Sequence, residues 1–289
     1  MKRLKTAFGL FLGVMTIILI LAGCNNNISK DYIIDKDGGY IVYTADGLLT
    51  WAERVKSDQR INCTLAEDID LSGKNWVPLC NDSKGYTGVF NGAGHTISGI
   101  TIRQPVGRYV GFFSLIETNG RVEELTLENV VVDLTTVGGD RVIGGIAGLN
   151  NFGKILNCNV SGSFTVMGSS LYTGGVAGAN SGLIQKCKFE GDINTTDKGS
   201  SYTGGMAGSN EFGTIIECYI SADINSTGTN KICVGGVAGQ NYMGRIENCT
   251  ILGTVTGSGP YIKAGEVVGK NDGGIEENNN ISDCIVKNF

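Results

Sequence analysis

With 289 residues, 23 of them basic and 28 acidic for a net charge of −5, the chain is long enough for one domain with a sizeable core and too acidic for a nucleic-acid partner. Its 45 glycines against 3 prolines exclude collagen-like and Pro-rich disordered chains, in which the two residues rise together, and point to many tight turns between short strands. A single histidine excludes a two-histidine zinc-protease helix.

The first residues read as an address rather than a fold element. Lys2, Arg3 and Lys5 precede an apolar run over residues 7–20, followed by Leu21, Ala22, Gly23 and Cys24, which resembles a lipobox. The run falls short of the roughly 20 apolar residues that a membrane span needs. The expectation is therefore a lipoprotein signal peptide over 1–23, with Cys24 acylated by palmitate-type chains and exposed as the new N-terminus. Residues 24–38 follow as the lipidated end and a polar tether. This implies a lipid-anchored protein of the cell envelope, outside the cytoplasm, with the membrane as one partner.

Residues 39–108 read as an N-terminal cap and the first coils of a solenoid. In DGLLTWAERVK (46–56), Leu48, Leu49, Trp51, Ala52 and Val55 share one helical face, with Asp46 as the expected N-cap. Such a helix would close the apolar end of a rod. Strands are expected over residues 61–65 and 69–71. The stretch YTGVFNGAGHTI (86–97) then resembles the opening coil of pectin-lyase-like β-helices.

From residue 109 to 289 the sequence repeats. Gly pairs begin at Gly144, Gly174, Gly204 and Gly235, with Gly265 in the matching place, at spacings of 30, 30, 31 and 30. Asn150, Asn180, Asn210, Asn241 and Asn271 follow with the same spacings. Turn glycines come next at Gly153, Gly182, Gly213 and Gly244, then Ile155, Ile184, Ile215 and Ile246, and three residues later Cys158, Cys187, Cys218 and Cys249. No stretch keeps a helical period, whereas short β-prone pieces alternate with Gly and Asn. A lone strand leaves its backbone unpaired, and stacking one repeat on the next at about 4.8 Å pairs every amide. The fold class expected is all-β: a right-handed parallel β-helix of about 30-residue coils.

The pattern TGGVAGAN (173–180) followed by GLIQKC (182–187) resembles the GLUG-motif repeat. Four copies match well, a fifth over residues 263–284 is degraded, and an early one over residues 109–127 is partial. The resemblance implies a β-helical module of bacterial surface proteins and names no ligand. Residues 278–289 are expected either to fold over the last coil or to leave its edge open.

The early copy has Val122 and Leu125 where later ones have Ile155 and Cys158, so the cysteine slot reads as an apolar core position and the four thiols as an inward file rather than a metal site. Cys63, Cys80 and Cys233 lie outside that file, where a disulfide among them stays open. The asparagines read as a structural ladder. Tyr172 and Tyr202, 30 residues apart, are the ligand-binding candidates, because a stacked pair could grip a sugar ring, though it could equally shield a strand; Tyr242 belongs to another file. Asp192 in GDIN and Asp223 in ADIN are the weak catalytic candidates, and calcium is the one cofactor such a pair would take. Neighbouring copies carry Ser163 and Thr254 there, and no Lys or Arg base stands in register. His95 reads as a turn residue. The function expected is thus a non-enzymatic surface module binding glycan or protein. A polysaccharide lyase or glycoside hydrolase using Asp192 and Asp223, or a plain spacer, are the alternatives.

Overall fold

The computed structural model describes residues 29–289 except 82, 104–106 and 137–138. The signal peptide expected over 1–23 and the lipidation expected at Cys24 lie outside the described residues. The chain winds through about seven turns of a parallel β-solenoid. Among the described residues the strands form three sheets of ten, thirteen and six strands, here sheets 1, 2 and 3. A typical coil crosses sheet 1 at Lys154–Leu156, sheet 2 at Asn159–Gly174 and sheet 3 at Ala177–Asn180.

Like residues stack on like. Ile155 pairs with Ile184, Ile184 with Ile215 and Ile215 with Ile246, and all four are fully buried. On sheet 2, Phe164, Ile193, Ile224 and Val255 form a second buried file. Between sheets 2 and 3 the chain doubles back at the Gly pairs. A Cβ on Gly175 would lie 2.2 Å from the Phe189 ring, so the sharp bend presses backbone directly against a core side chain and admits no larger residue.

Helix α1 (Ala45–Val55) covers the N-terminal end of the rod, burying Leu48, Trp51, Ala52 and Val55. Trp51 meets the rings of Tyr86, Phe90 and Phe113 at centroid distances of 6.0, 5.1 and 6.3 Å. The N-cap is Thr44, not Asp46: Thr44 is extended and its Oγ1 accepts from the Gly47 amide at 3.2 Å. Asp46 sits in the first turn and exposed, where its charge complements the helix N-terminus.

The stretch expected as tether also needs correction. Tyr32–Ile34 pairs antiparallel with Tyr40–Val42 at the end of sheet 1, because three β-prone residues there find an open strand edge. At the other end, Asn280–Asn288 does not fold over the coil. It continues sheet 2 beside Thr250–Ser258, with Ile281 and Ile285 exposed. Among the described residues no helix is long and apolar enough to cross a membrane.

Candidate functional site

The repeating polar and sulfur positions face inward. Asn150 Nδ2 donates to Asn180 Oδ1, Asn180 to Asn210 and Asn210 to Asn241, at 2.8, 2.8 and 3.0 Å, and all four are fully buried. The file is unmatched at its start: Ile116 lies opposite Asn150, whose Oδ1 has no donor. Cys158, Cys187, Cys218 and Cys249 are buried, each thiol directed at the carbonyl two residues earlier at 3.2–3.4 Å. Burial pushes the Cys187 and Cys218 thiols well up from their ordinary values. Next along this file stands Asn279, whose Oδ1 accepts from the Cys249 amide, while Cys284 lies opposite Gly253 beyond a bulge. All eight described cysteines are free, so Cys63, Cys80 and Cys233 share no disulfide.

The acidic candidates stay on the surface. Asp192 and Asp223 are in register on sheet 2 and exposed, and Thr254 donates its amide and its hydroxyl to Asp223 Oδ1, the hydroxyl at 2.6 Å. Among the described residues no group of three or more His, Cys, Asp or Glu side chains gathers as a metal site. His95 Nδ1 lies 3.3 Å from Asp68 Oδ1, which also accepts from the Thr96 amide, so His95 closes a turn.

The tyrosines occupy a different setting. On the last part of sheet 2, Leu171 and Thr173 point into the rod and Tyr172 points outward between them. Following the register gives one outward file: Tyr109, Val142, Tyr172, Tyr202, Cys233 and Lys263. Outward side chains on a flat sheet would be exposed. Here Val142 and Cys233 are 3% and 0% exposed, without belonging to the central core cluster, and both tyrosines are half-buried. The cause is the Gly-pair bend, which brings the outward face of sheet 3 against this file. The facing file on sheet 3 runs Leu115, Leu149, Ala179, Ser209, Gln240 and Lys270. Its small middle residues, Ala179 and Ser209, stand in the coils that carry the tyrosines, so this re-entrant bend, here the groove, is closed over Val142 and Cys233 and part-open at Tyr172 and Tyr202.

Tyr172 and Tyr202 stack with centroids 4.9 Å apart and ring planes 15° from parallel. The Lys231 Nζ lies 4.9 Å from the Tyr202 centroid and donates to the Tyr202 hydroxyl at 2.9 Å. The ring faces are thus engaged by each other and by the ammonium. The mutually stacked faces and the face under the ammonium are therefore closed to a sugar ring. The groove offers ring edges, phenol hydroxyls and ammonium donors, and ring edges carry the positive end of the aromatic quadrupole.

The electrostatics belong to the groove as a whole. Burial, with the neighbouring Tyr202 and Glu211, holds the Tyr172 phenol above its ordinary value, against the opposing pull of Arg108 and Lys231. Burial also works against the Lys231 ammonium, but its bond to Tyr202 and the nearby Cys233 and Asp272 outweigh it and raise its pKa. Cys233 is pushed up by burial and drawn back by Lys231, Lys263 and Lys270. Asp272 is held below the usual carboxylate range, first by its bond to Lys270 and also by Gln240, which donates at 2.7 Å.

Sequence reasoning named the two tyrosines and did not name Lys231, Gln240, Lys263, Lys270 and Asp272, which the structure gathers near them. Extending the tyrosine spacing by the repeat period leads to Cys233 and then Lys263, so that part of the file carried a signal. Gln240, Lys270 and Asp272 arrive from sheet 3 and carried none.

Residues 231–256 match the family described as the GLUG motif. The "Putative Gly-rich membrane protein" of Evansella cellulosilytica is 31% identical over 133 residues, which cover 43% of this chain and 15% of that protein. "Halomucin" of Haloquadratum walsbyi is 34% identical over 113 residues, 35% of this chain and 1% of that protein. The chain thus spans a small part of the length of both curated relatives. The crystal structure of a "putative immunoglobulin A1 protease" from Bacteroides ovatus aligns with a TM-score of 0.66 at 24% identity, covering 85% of this chain and 75% of that one, a likeness of fold. The chain is therefore a parallel β-solenoid carrying a GLUG motif, and that motif begins at Lys231, the lysine bound to the tyrosine file.

Proposed function

We propose that this protein is a non-catalytic β-helical module of the cell envelope that binds an extended glycan along the groove between sheets 2 and 3. The observation that carries the reading is the half-buried Tyr172–Tyr202 stack with Lys231 bound to it, set in a bend that shields a continuous file of side chains. Concave sites lined by apolar walls with a few placed polar groups are the usual setting for ligand binding. Regular coils repeat that setting along an axis, which suits a polymer. The envelope location is supported by relatives named as a membrane protein and as halomucin, and by the lipobox-like residues ending at Cys24.

The test is retention of the protein on a glycan array, with release of sugar product read in the same wells. Wild type is expected to be retained without product, and the Tyr172→Ala/Tyr202→Ala variant to lose at least about tenfold in affinity, the loss of one good contact or more. Unchanged retention in that variant contradicts the groove as the site. Product formation abolished by Asp192→Ala would establish the polysaccharide-cleaving alternative instead.

A further inference from the structure

The groove differs in charge from the molecule that carries it. The chain as a whole is acidic at −5, yet Lys231, Lys263 and Lys270 all act on the Cys233 thiol within this one bend. Lys231 and Cys233 share a strand and a face, and Lys263 stacks on Cys233 from the next coil. Lys270 reaches the same spot from sheet 3, where it stacks beside Gln240. Two carboxylates neighbour them, Asp272, bound by Lys270 and Gln240, and Glu211, which accepts from Ser209 beside the tyrosines, so three ammonium groups face two carboxylates and a small positive excess is left. Lys231 and Lys263 also line an open depression with Pro260, Tyr261 and Ile262 at this end of the groove. At the other end, Arg108 lies over Tyr109, the first residue of the same outward file.

Three further features turn this charge toward an anionic polymer rather than a point ion. The tyrosine faces are engaged and their edges are outward, so what the file presents to a ligand is edge hydrogens and hydroxyls, which favour negatively polarised oxygen. The basic groups stand at both ends of the file with the tyrosines between. Over coils of about 4.8 Å rise, the five steps from Tyr109 to Lys263 extend roughly 24 Å, the length of several sugar units rather than of one phosphate.

We propose that the ligand of this groove is an anionic glycan whose carboxylate or sulfate groups are held by Lys231, Lys263 and Lys270 beside the tyrosine edges. This inference rests on the groove being the glycan site and adds the class of glycan. Charge-assisted bonds from ammonium groups set along a wall bind regularly spaced anions, and such attraction weakens as salt rises.

The experiment measures binding of the full chain to three polymers of one backbone, namely plain dextran, carboxymethyl-dextran and dextran sulfate, with poly-glutamate as an anion that is not a sugar. The expected result is binding of the two charged dextrans, at least about tenfold tighter than plain dextran and weakened by 0.5 M salt, with Lys263→Gln costing about tenfold and Lys154→Gln, on sheet 1, unchanged. The carboxymethyl and sulfate arms distinguish the two anion sources. Equal binding of plain dextran that is lost in Tyr202→Ala would overturn the anionic class while leaving the groove as a glycan site. Failure of both charged dextrans to bind, or equal losses from Lys263→Gln and Lys154→Gln, would overturn the lysine cluster. Poly-glutamate binding as tightly as the charged dextrans would assign the cluster to acidic protein segments and overturn the glycan.

Discussion

Each interior asparagine of the buried file does two jobs. Asn180 donates to Asn210 Oδ1 and to the Gly182 carbonyl, and its own Oδ1 accepts from Asn150 and from the Gly182 amide. Replacing it with alanine removes all of these and strands the Asn210 Oδ1 acceptor and the Gly182 amide, at about 1–3 kcal/mol for each group. Asn150 makes the downward half of that set alone, since Ile116 precedes it. Asn180→Ala is therefore expected to lower stability by about 3 kcal/mol and Asn150→Ala by about 1 kcal/mol less, compared by thermal unfolding midpoints. Equal losses would show that coil-to-coil bonding in this file is not what stabilises it. The spacing of Asn in the sequence located this file, but not its inequality, which depends on an isoleucine one coil earlier.

At the scale of elements, the rod depends on its closed end. Helix α1 buries Trp51 against three aromatic rings of the first coils, and a Trp→Ala change at such a site costs about 3–5 kcal/mol. Stability in a solenoid is transmitted from neighbour to neighbour, so the damage should be local. Hydrogen exchange of Trp51→Ala is expected to show lost protection over Tyr40–Val42, Cys63–Leu65 and Val89–Asn91 while Thr214–Ile216 and Arg245–Glu247 keep theirs. Uniform loss along the whole rod would contradict a capping role for the helix.

The elements also show where the sequence was readable. Stacks of Ile and Gly at fixed spacing made the coil visible, and the helix emerged from its apolar face, two residues out of place at the cap. The long strands of sheet 2, Asn159–Gly174 and Lys188–Gly204, were legible only as short pieces. Their inward slots include Thr195, Ser201 and Thr203, buried hydroxyls that bond to one another and to Ser226 inside the core, at 2.9 Å for Thr195 to Ser226. A polar residue at an inward position breaks the alternation that marks a strand, and part of its bonding comes from across the coil and from the next coil, as Ser226 does for Thr195 and Ser201.

At the scale of the molecule, one sharp bend accounts for both the architecture and the groove. The Gly pairs let sheet 3 turn back tightly on sheet 2, and the same turn folds two outward faces toward each other along the rod. The tyrosines could be named from their spacing, whereas Gln240, Lys270 and Asp272 join them only through that bend, which is why those members of the candidate site had no sequence signature. The measurement that tests this account most directly is a crystal structure of the protein with a retained acidic oligosaccharide. Sugar is expected along the axis between the two sheets, its anionic oxygens at Lys231 and Lys263 and its hydroxyls at the edges of Tyr172 and Tyr202. Sugar bound elsewhere, over Asp192 and Asp223 on the open face of sheet 2 or at the edge of the last coil, would contradict it.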